Sequence, residues 1–223
     1  MKNQWFGDKY DFRKYGLLYF LLTNFYDRIC VAWMLTEDDS EAKPIPKMIR
    51  EKLSVWMNVS HAESCFEGLP KEKRIFFYKK KLDNNNREDW LNGLKTYCEE
   101  NKPQLVFFDA DNGFDVACTN EKKMTYIYLE EIKEYTKGGI DILLYQHRTR
   151  DMEISFKQMC TEKRELLTQW GYSNIKIIKA TGDLAFFLIH MDNNTMESFK
   201  TDFNNSFGVT KTDKKYLELL ELD

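Results

Sequence analysis

Three short segments of the chain gather side chains able to do chemistry. Asp109-Ala110-Asp111-Asn112-Gly113 sets two carboxylates and an amide beside a glycine that permits a tight turn. A carboxylate there can orient or activate water, and the amide can fix the polar edge of a ligand. The competing reading is an Asx-type turn whose side chains bond their own backbone. One residue of turn phase exchanges Asp109, Asp111 and Asn112, so the sequence leaves open which of them faces a crevice.

The second segment is Tyr145-Gln146-His147-Arg148-Thr149-Arg150, and His147 is one of three histidines in the chain. An imidazole at a strand end can act as acid, base or donor to a developing anion. Arg148 and Arg150 suit phosphate, and Gln146 adds a polar edge. The plainer alternative is a solvated loop with Asp151 capping the next helix. The third segment runs from Asn3 to Tyr15 and packs aromatics, amides and charges around Gly7. There Asn3, Trp5, Phe6 and Asp8 suit stacking and hydrogen bonding to a base, while Asp11 and Lys14 lie at a helix start, where phosphate is favoured. An ordinary helix start, with Asp8 as cap and Asp11 in the first turn, accounts for part of this pattern.

These segments need elements to position them. Apolar spacing at Phe12, Tyr15, Leu18, Tyr19, Leu22, Phe25 and Tyr26 predicts a helix over Asp8 to Tyr26. Further helices are expected around Lys47 to Val59, Arg87 to Glu99, Leu129 to Lys137 and Met152 to Trp170. Apolar runs predict strands at 29–35, 74–78, 104–108, 140–145, 175–179 and 184–190. The alternation of fully apolar strands with helices implies a three-layer α/β fold: a mostly parallel, Rossmann-like sheet covered on both faces. The last two strands are close enough to form an antiparallel edge. In such sheets ligands bind beyond the carboxyl ends of the strands, where Asp109–Gly113 and Gln146–Arg148 fall.

Composition bounds the rest. With 223 residues, 43% hydrophobic and 31% charged, the chain has globular composition, and without a Pro/Gly-rich linker it reads as a single domain over 1–223. The net charge of −3 offers no global positive field. A local basic run remains, with Lys71, Lys73, Arg74, Lys79, Lys80 and Lys81 bracketing Phe76-Phe77-Tyr78; it suits a nucleic-acid backbone or simply a strand with solvated lysines. No apolar stretch approaches the ~20 residues of a membrane span, and the N-terminus has no signal-peptide core. The five cysteines are scattered, with neither a CxxC pair nor zinc-ligand spacing. Reduced thiols in the cytoplasm, no metal, no cofactor and no membrane partner are the expectations; the oligomeric state is not readable.

The pieces Trp5-Phe6-Gly7-Asp8…Asp11…Lys14-Tyr15-Gly16-Leu17-Leu18, Phe107-Phe108-Asp109-Ala110-Asp111-Asn112-Gly113 and Tyr145-Gln146-His147-Arg148 together resemble a family of bacterial proteins of similar length. In that family a glycine-aspartate N-terminal motif, a DxDNG strand end and a YQH strand end recur. The resemblance spans nearly the whole chain and implies phage-defence DNA glycosylases acting on glucosylated hydroxymethylcytosine. Two other families resemble parts of the chain. The layout is similar to class I methyltransferases related to those that methylate adenine in ribosomal RNA. However, the residues after the first strand lack a glycine-rich loop, and Ala110-Asp111-Asn112 replaces the Pro-Pro-Tyr segment of the catalytic motif. Leu105 to Asn112 also resembles the first motif of haloacid-dehalogenase-type phosphatases, although Gly182-Asp183 lacks the second acid of their distant motif.

The expected function is a nucleic-acid-directed hydrolase of glycosylase type that flips a modified base into the crevice. Asp109, Asp111, Asn112 and His147 form its catalytic set. Asn3, Trp5, Phe6, Asp8, Asp11, Lys14, Gln146, Arg148 and Arg150 bind substrate, and DNA is the partner. The alternatives are a methyltransferase-like protein with a degenerate methyl-donor site, a metal-dependent nuclease or phosphohydrolase using Asp109 and Asp111, and a non-catalytic sensor.

Overall fold

The computed structural model describes residues 9–35, 66, 69–82, 85–116, 123–148, 153–180, 183–189, 193–207 and 217–222. Asn3, Trp5, Phe6, Asp8, Arg150 and the helix expected around 47–59 lie outside the described residues. The chain divides into two units, Met1–Gln104 and Leu105–Asp223.

The first unit contains helix α1 (Lys9–Asn24), strands β1 (Arg28–Trp33) and β2 (Arg74–Tyr78), and helix α2 (Arg87–Asn101). The strands pair in parallel, with Ile29 opposite Ile75 and Ala32 opposite Tyr78. Strand alternation sends Val31, Trp33 and Phe77 to one face and Cys30, Ala32, Phe76 and Tyr78 to the other. On the first face, Phe66 meets Tyr15 and Tyr19 of α1 on one side and Phe77 on the other, and Trp33 lies 4.7 Å from Phe77. On the second, Trp90 and Tyr97 of α2 pack against Tyr78 at 5.4 and 5.5 Å, and the Tyr78 hydroxyl donates to Trp90 O at 3.0 Å. Trp33 and Trp90 are fully buried, and each aromatic of that size contributes roughly 2–3 kcal/mol on leaving water. The parallel pair therefore has a helix on each face.

The second unit contains β3 (Leu105–Asp109), β4 (Gly113–Asp115), β5 (Tyr126–Tyr128), α3 (Leu129–Lys137), β6 (Asp141–His147), α4 (Phe156–Gln169), β7 (Lys176–Ala180), β8 (Leu184–Ile189), α5 (Asn193–Phe207) and β9 (Leu217–Leu220). Its main sheet runs β3-β6-β8-β7-β9, and β4 and β5 pair separately. β3 and β6, joined across α3, are parallel; the ladders β6–β8, β8–β7 and β7–β9 are antiparallel. The fold is α/β with a mixed sheet.

The antiparallel pairing of β7 with β8 agrees with the sequence, because a connection of three residues can form a hairpin but not a crossover. The register adds that β8, not β7, lies beside β6. Residue pairing across the sheet groups Phe108, Leu144, Gln146, Phe187 and Lys179 on one face. Both α3 and α4 cover it: Tyr135 packs on Phe108 at 5.5 Å, and the Lys179 amine lies 5.7 Å over the Phe156 ring. Helix α4 starts at Phe156, later than expected, because Ser155 supplies its cap by accepting from Gln158 N at 3.1 Å. Among the described residues, no helix is long and apolar enough to cross a membrane.

Candidate functional site at the ends of β3 and β6

Both polar clusters begin inside strands, which decides the direction of their side chains. β3 includes Asp109, and β6 continues through Gln146 to His147. The register pairs Phe108 with Leu144, so one further step sets Asp109 beside Tyr145. By alternation Asp109, Tyr145 and His147 share a face, and Gln146 points to the opposite one. Strand spacing and rise put the Asp109 and His147 Cα atoms about 8 Å apart, with side chains projecting the same way. Asp109 is 1% exposed; Asp111, Asn112 and His147 are half-buried. Asp109 is thus closed off from solvent, whereas Asp111 and Asn112 on the turn after it are partly accessible.

The turn between β3 and β4 is fastened to β6 by one side chain. Gln146 is fully buried. Its amide nitrogen donates to Asn112 O at 2.9 Å and to His147 O at 3.0 Å, and its carbonyl accepts from Phe114 N at 3.2 Å. The His147 N–H also donates to Asn112 O at 3.4 Å, and Asn112 N donates to Thr125 O at 2.8 Å. Gly113 has φ +113° there, and a Cβ at this position would lie 2.3 Å from the Gln146 carbonyl oxygen. Only glycine tolerates both the conformation and the close approach.

A second brace comes from α4. The buried Lys163 amine donates to Phe114 O at 2.6 Å, lies 3.4 Å from the Asp115 carboxylate and sits 5.1 Å over the Phe114 ring. Phe114 in turn packs edge-on against Phe187 at 5.1 Å. The sequence reading missed Lys163. Its signal was spacing: Cys160, Lys163 and Leu167 lie on the buried stripe of α4, and a lone charge on such a stripe needs internal partners.

Arg148 is also engaged internally. Its backbone N–H donates to Asp183 O at 2.7 Å, its Nε donates to Ile154 O at 2.8 Å, and its guanidinium lies 3.4 Å from the Asp183 carboxylate. It ties the loop after β6 to the β7–β8 turn. In the first unit, Asp11 and Lys14 form an ion pair at 3.3 Å, both buried on the first turns of α1. The structure thus groups Asp109, Asp111, Asn112, Gln146, His147 and Arg148 at neighbouring strand ends. Among the described residues no three His, Cys, Asp or Glu side chains converge as a metal-ligand set.

No family model, curated protein or solved structure matches the chain.

Proposed function

We propose that the protein is a nucleic-acid-directed hydrolase that cleaves an N-glycosidic bond: a DNA glycosylase taking glucosylated hydroxymethylcytosine in defence against phage. The observation that carries this reading is the shared face of Asp109 and His147, with Asn112 hydrogen-bonded at the backbone to His147. Asp111, half-buried on the turn, orients water towards the sugar C1′ and takes its proton. As the bond from C1′ to the base nitrogen breaks, the electron pair leaves with the base and His147 supplies the proton. The buried Asp109 side chain, on the same face, favours the cationic sugar. Asn112 holds the polar edge of the base.

Gln146 acts in this reading by holding the turn. Arg148, on exchanging Asp183 for phosphate, and Arg150 grip the backbone, and Trp5 and Phe6 are the candidates for stacking on the extruded base. The reading goes with a Rossmann-like layout and a cytoplasmic location.

The test incubates purified protein with duplexes carrying cytosine, hydroxymethylcytosine or glucosylated hydroxymethylcytosine, then scores abasic sites by alkaline cleavage. Abasic sites are expected on the glucosylated duplex, with Asp109→Asn and His147→Gln each reducing their rate by about 100-fold or more. No abasic sites on any duplex would overturn the reading. Biological activity preserved in Asp109→Asn would favour a sensor instead.

A further inference from the structure

The cations nearest the candidate site are spent on the protein itself: Arg148 on Ile154 and Asp183, Lys163 on Phe114 and Asp115. In the first unit Lys14 pairs with Asp11, and Lys73 pairs with Asp27 at 2.9 Å while donating to Tyr26 O. A protein that holds a nucleic acid needs phosphate contacts, and a dense run of exposed cations lies along β2 and its extension. Among the described residues β2 has one hydrogen-bonded neighbour, β1. The Arg74, Lys79, Lys80 and Lys81 side chains are exposed along this strand and its extension, which continues as a parallel bridge between Lys81 and Leu35. Arg74 and Lys81 make no side-chain hydrogen bond or ion pair among the described residues. The Lys79 amine lies 5.9 Å over the Phe77 ring, and Lys80 donates to a backbone oxygen, Asp89 O at 3.2 Å.

The aromatics of the same run face elsewhere. Phe77 and Tyr78 are buried against Trp33 and Trp90, and Phe76 lies under the Arg28 guanidinium at 5.1 Å. What remains outside is charge without stacking platforms, a surface for a sugar-phosphate backbone rather than for bases. A membrane surface fits less well, because anchoring there adds exposed apolar side chains to basic ones. Tyr19 is the one exposed large hydrophobic residue among those described.

We propose that the strand from Arg74 to Lys81 is a phosphate-tracking surface for duplex DNA, reading shape and charge rather than sequence. It rests on the nucleic-acid reading given above. Seven residue steps at ~3.3 Å span about 23 Å, the axial length of roughly seven phosphates on one strand.

The experiment measures binding of a fluorescein-labelled random-sequence duplex by anisotropy across a series of salt concentrations. Four proteins are compared: wild type, Arg74→Gln/Lys79→Gln/Lys80→Gln/Lys81→Gln, the charge-preserving Lys79→Arg/Lys80→Arg/Lys81→Arg, and a control, Lys133→Gln/Lys137→Gln, on α3. Each phosphate contact removed lowers the slope of log affinity against log salt by about 0.9, so the quadruple variant loses up to about 3.6. The arginine variant and the control keep the wild-type slope. Lysines on an exposed strand edge also discourage aggregation. If the quadruple variant aggregates, the single variants are read instead, each expected to lose about 0.9. An unchanged slope, an equal loss in the control, or wild-type preference for phosphatidylserine vesicles over the duplex overturns the proposal. Base excision with an unchanged slope removes the tract and leaves the hydrolase. A slope that falls as expected, with no excision on any duplex, does the reverse.

Discussion

The turn from Asp109 to Asp115 and the strand edge from Arg74 to Lys81 are both dense in polar groups, but they are built on opposite terms. In the turn, the backbone is fastened by buried side chains: Gln146 closes three hydrogen bonds and Lys163 a fourth. Along β2 the cations stand in solvent. Buried polar groups fix a geometry and are costly to disturb, whereas exposed charges leave geometry alone and set long-range attraction. The difference separates residues whose loss should unfold the site from residues whose loss should only weaken binding.

The largest break is expected at Gly113. Gly113→Ala forces a Cβ against the Gln146 amide at a positive φ, and chemical denaturation should show a loss of about 3 kcal/mol. Gln146→Leu comes next. It strands Phe114 N in the interior, leaves Asn112 O with only the longer bond from His147 N, and should cost about 2–3 kcal/mol by the same measurement. Lys163→Met, which keeps the aliphatic stem but not the bond to Phe114 O, should cost about 1–2 kcal/mol.

A pH series sharpens the contrast from another side. Burial pushes the Cys160 thiol from 9.0 up to about 12, against an opposing pull from the Lys179 charge. Between those values the unfolded chain releases a proton that the folded chain keeps, so stability should fall as pH rises from 9 towards 12. Cys160→Ala should flatten that decline in denaturation midpoints. At the small end, removing the exposed charges of Lys79, Lys80 and Lys81 should change stability by no more than about 0.5 kcal/mol. A large destabilisation there would erase the distinction between the two regions.

Much of the fold was legible because its strands are uninterrupted apolar runs. Arg74–Tyr78 and Leu129–Lys137 have the expected bounds, and the other strands expected from 104 to 190 shift by one or two residues at their ends. What escaped notice lacks a local signal. β4 and β5 have three residues each and exist by pairing across residues 116–125. In the polar, asparagine-rich α5, the buried apolar anchors among the described side chains are Phe199 and Phe203. β9 is four residues held by β7.

The strand ends that carry the polar clusters were legible in the sequence, but the direction of each side chain was not. Ending β6 at Tyr145 made Gln146, His147 and Arg148 look like one loop. Carrying the strand to His147 sends Gln146 and His147 to opposite faces, which turns the glutamine into a fastener. The expected parallel pairing holds for β1–β2 and β3–β6 and the expected antiparallel edge for β7–β8, while the antiparallel ladders β6–β8 and β7–β9 carry no local signal in the sequence.

The Gln146 amide also has a consequence in time. Its partner Phe114 is synthesised 32 residues earlier, an interval of a few seconds at roughly 5–20 residues per second. Until Gln146 emerges and enters β6, the turn carrying Asp111 and Asn112 has no fastener. A nascent or truncated chain that stops short of residue 146 therefore makes both carboxylates without the geometry that aligns them.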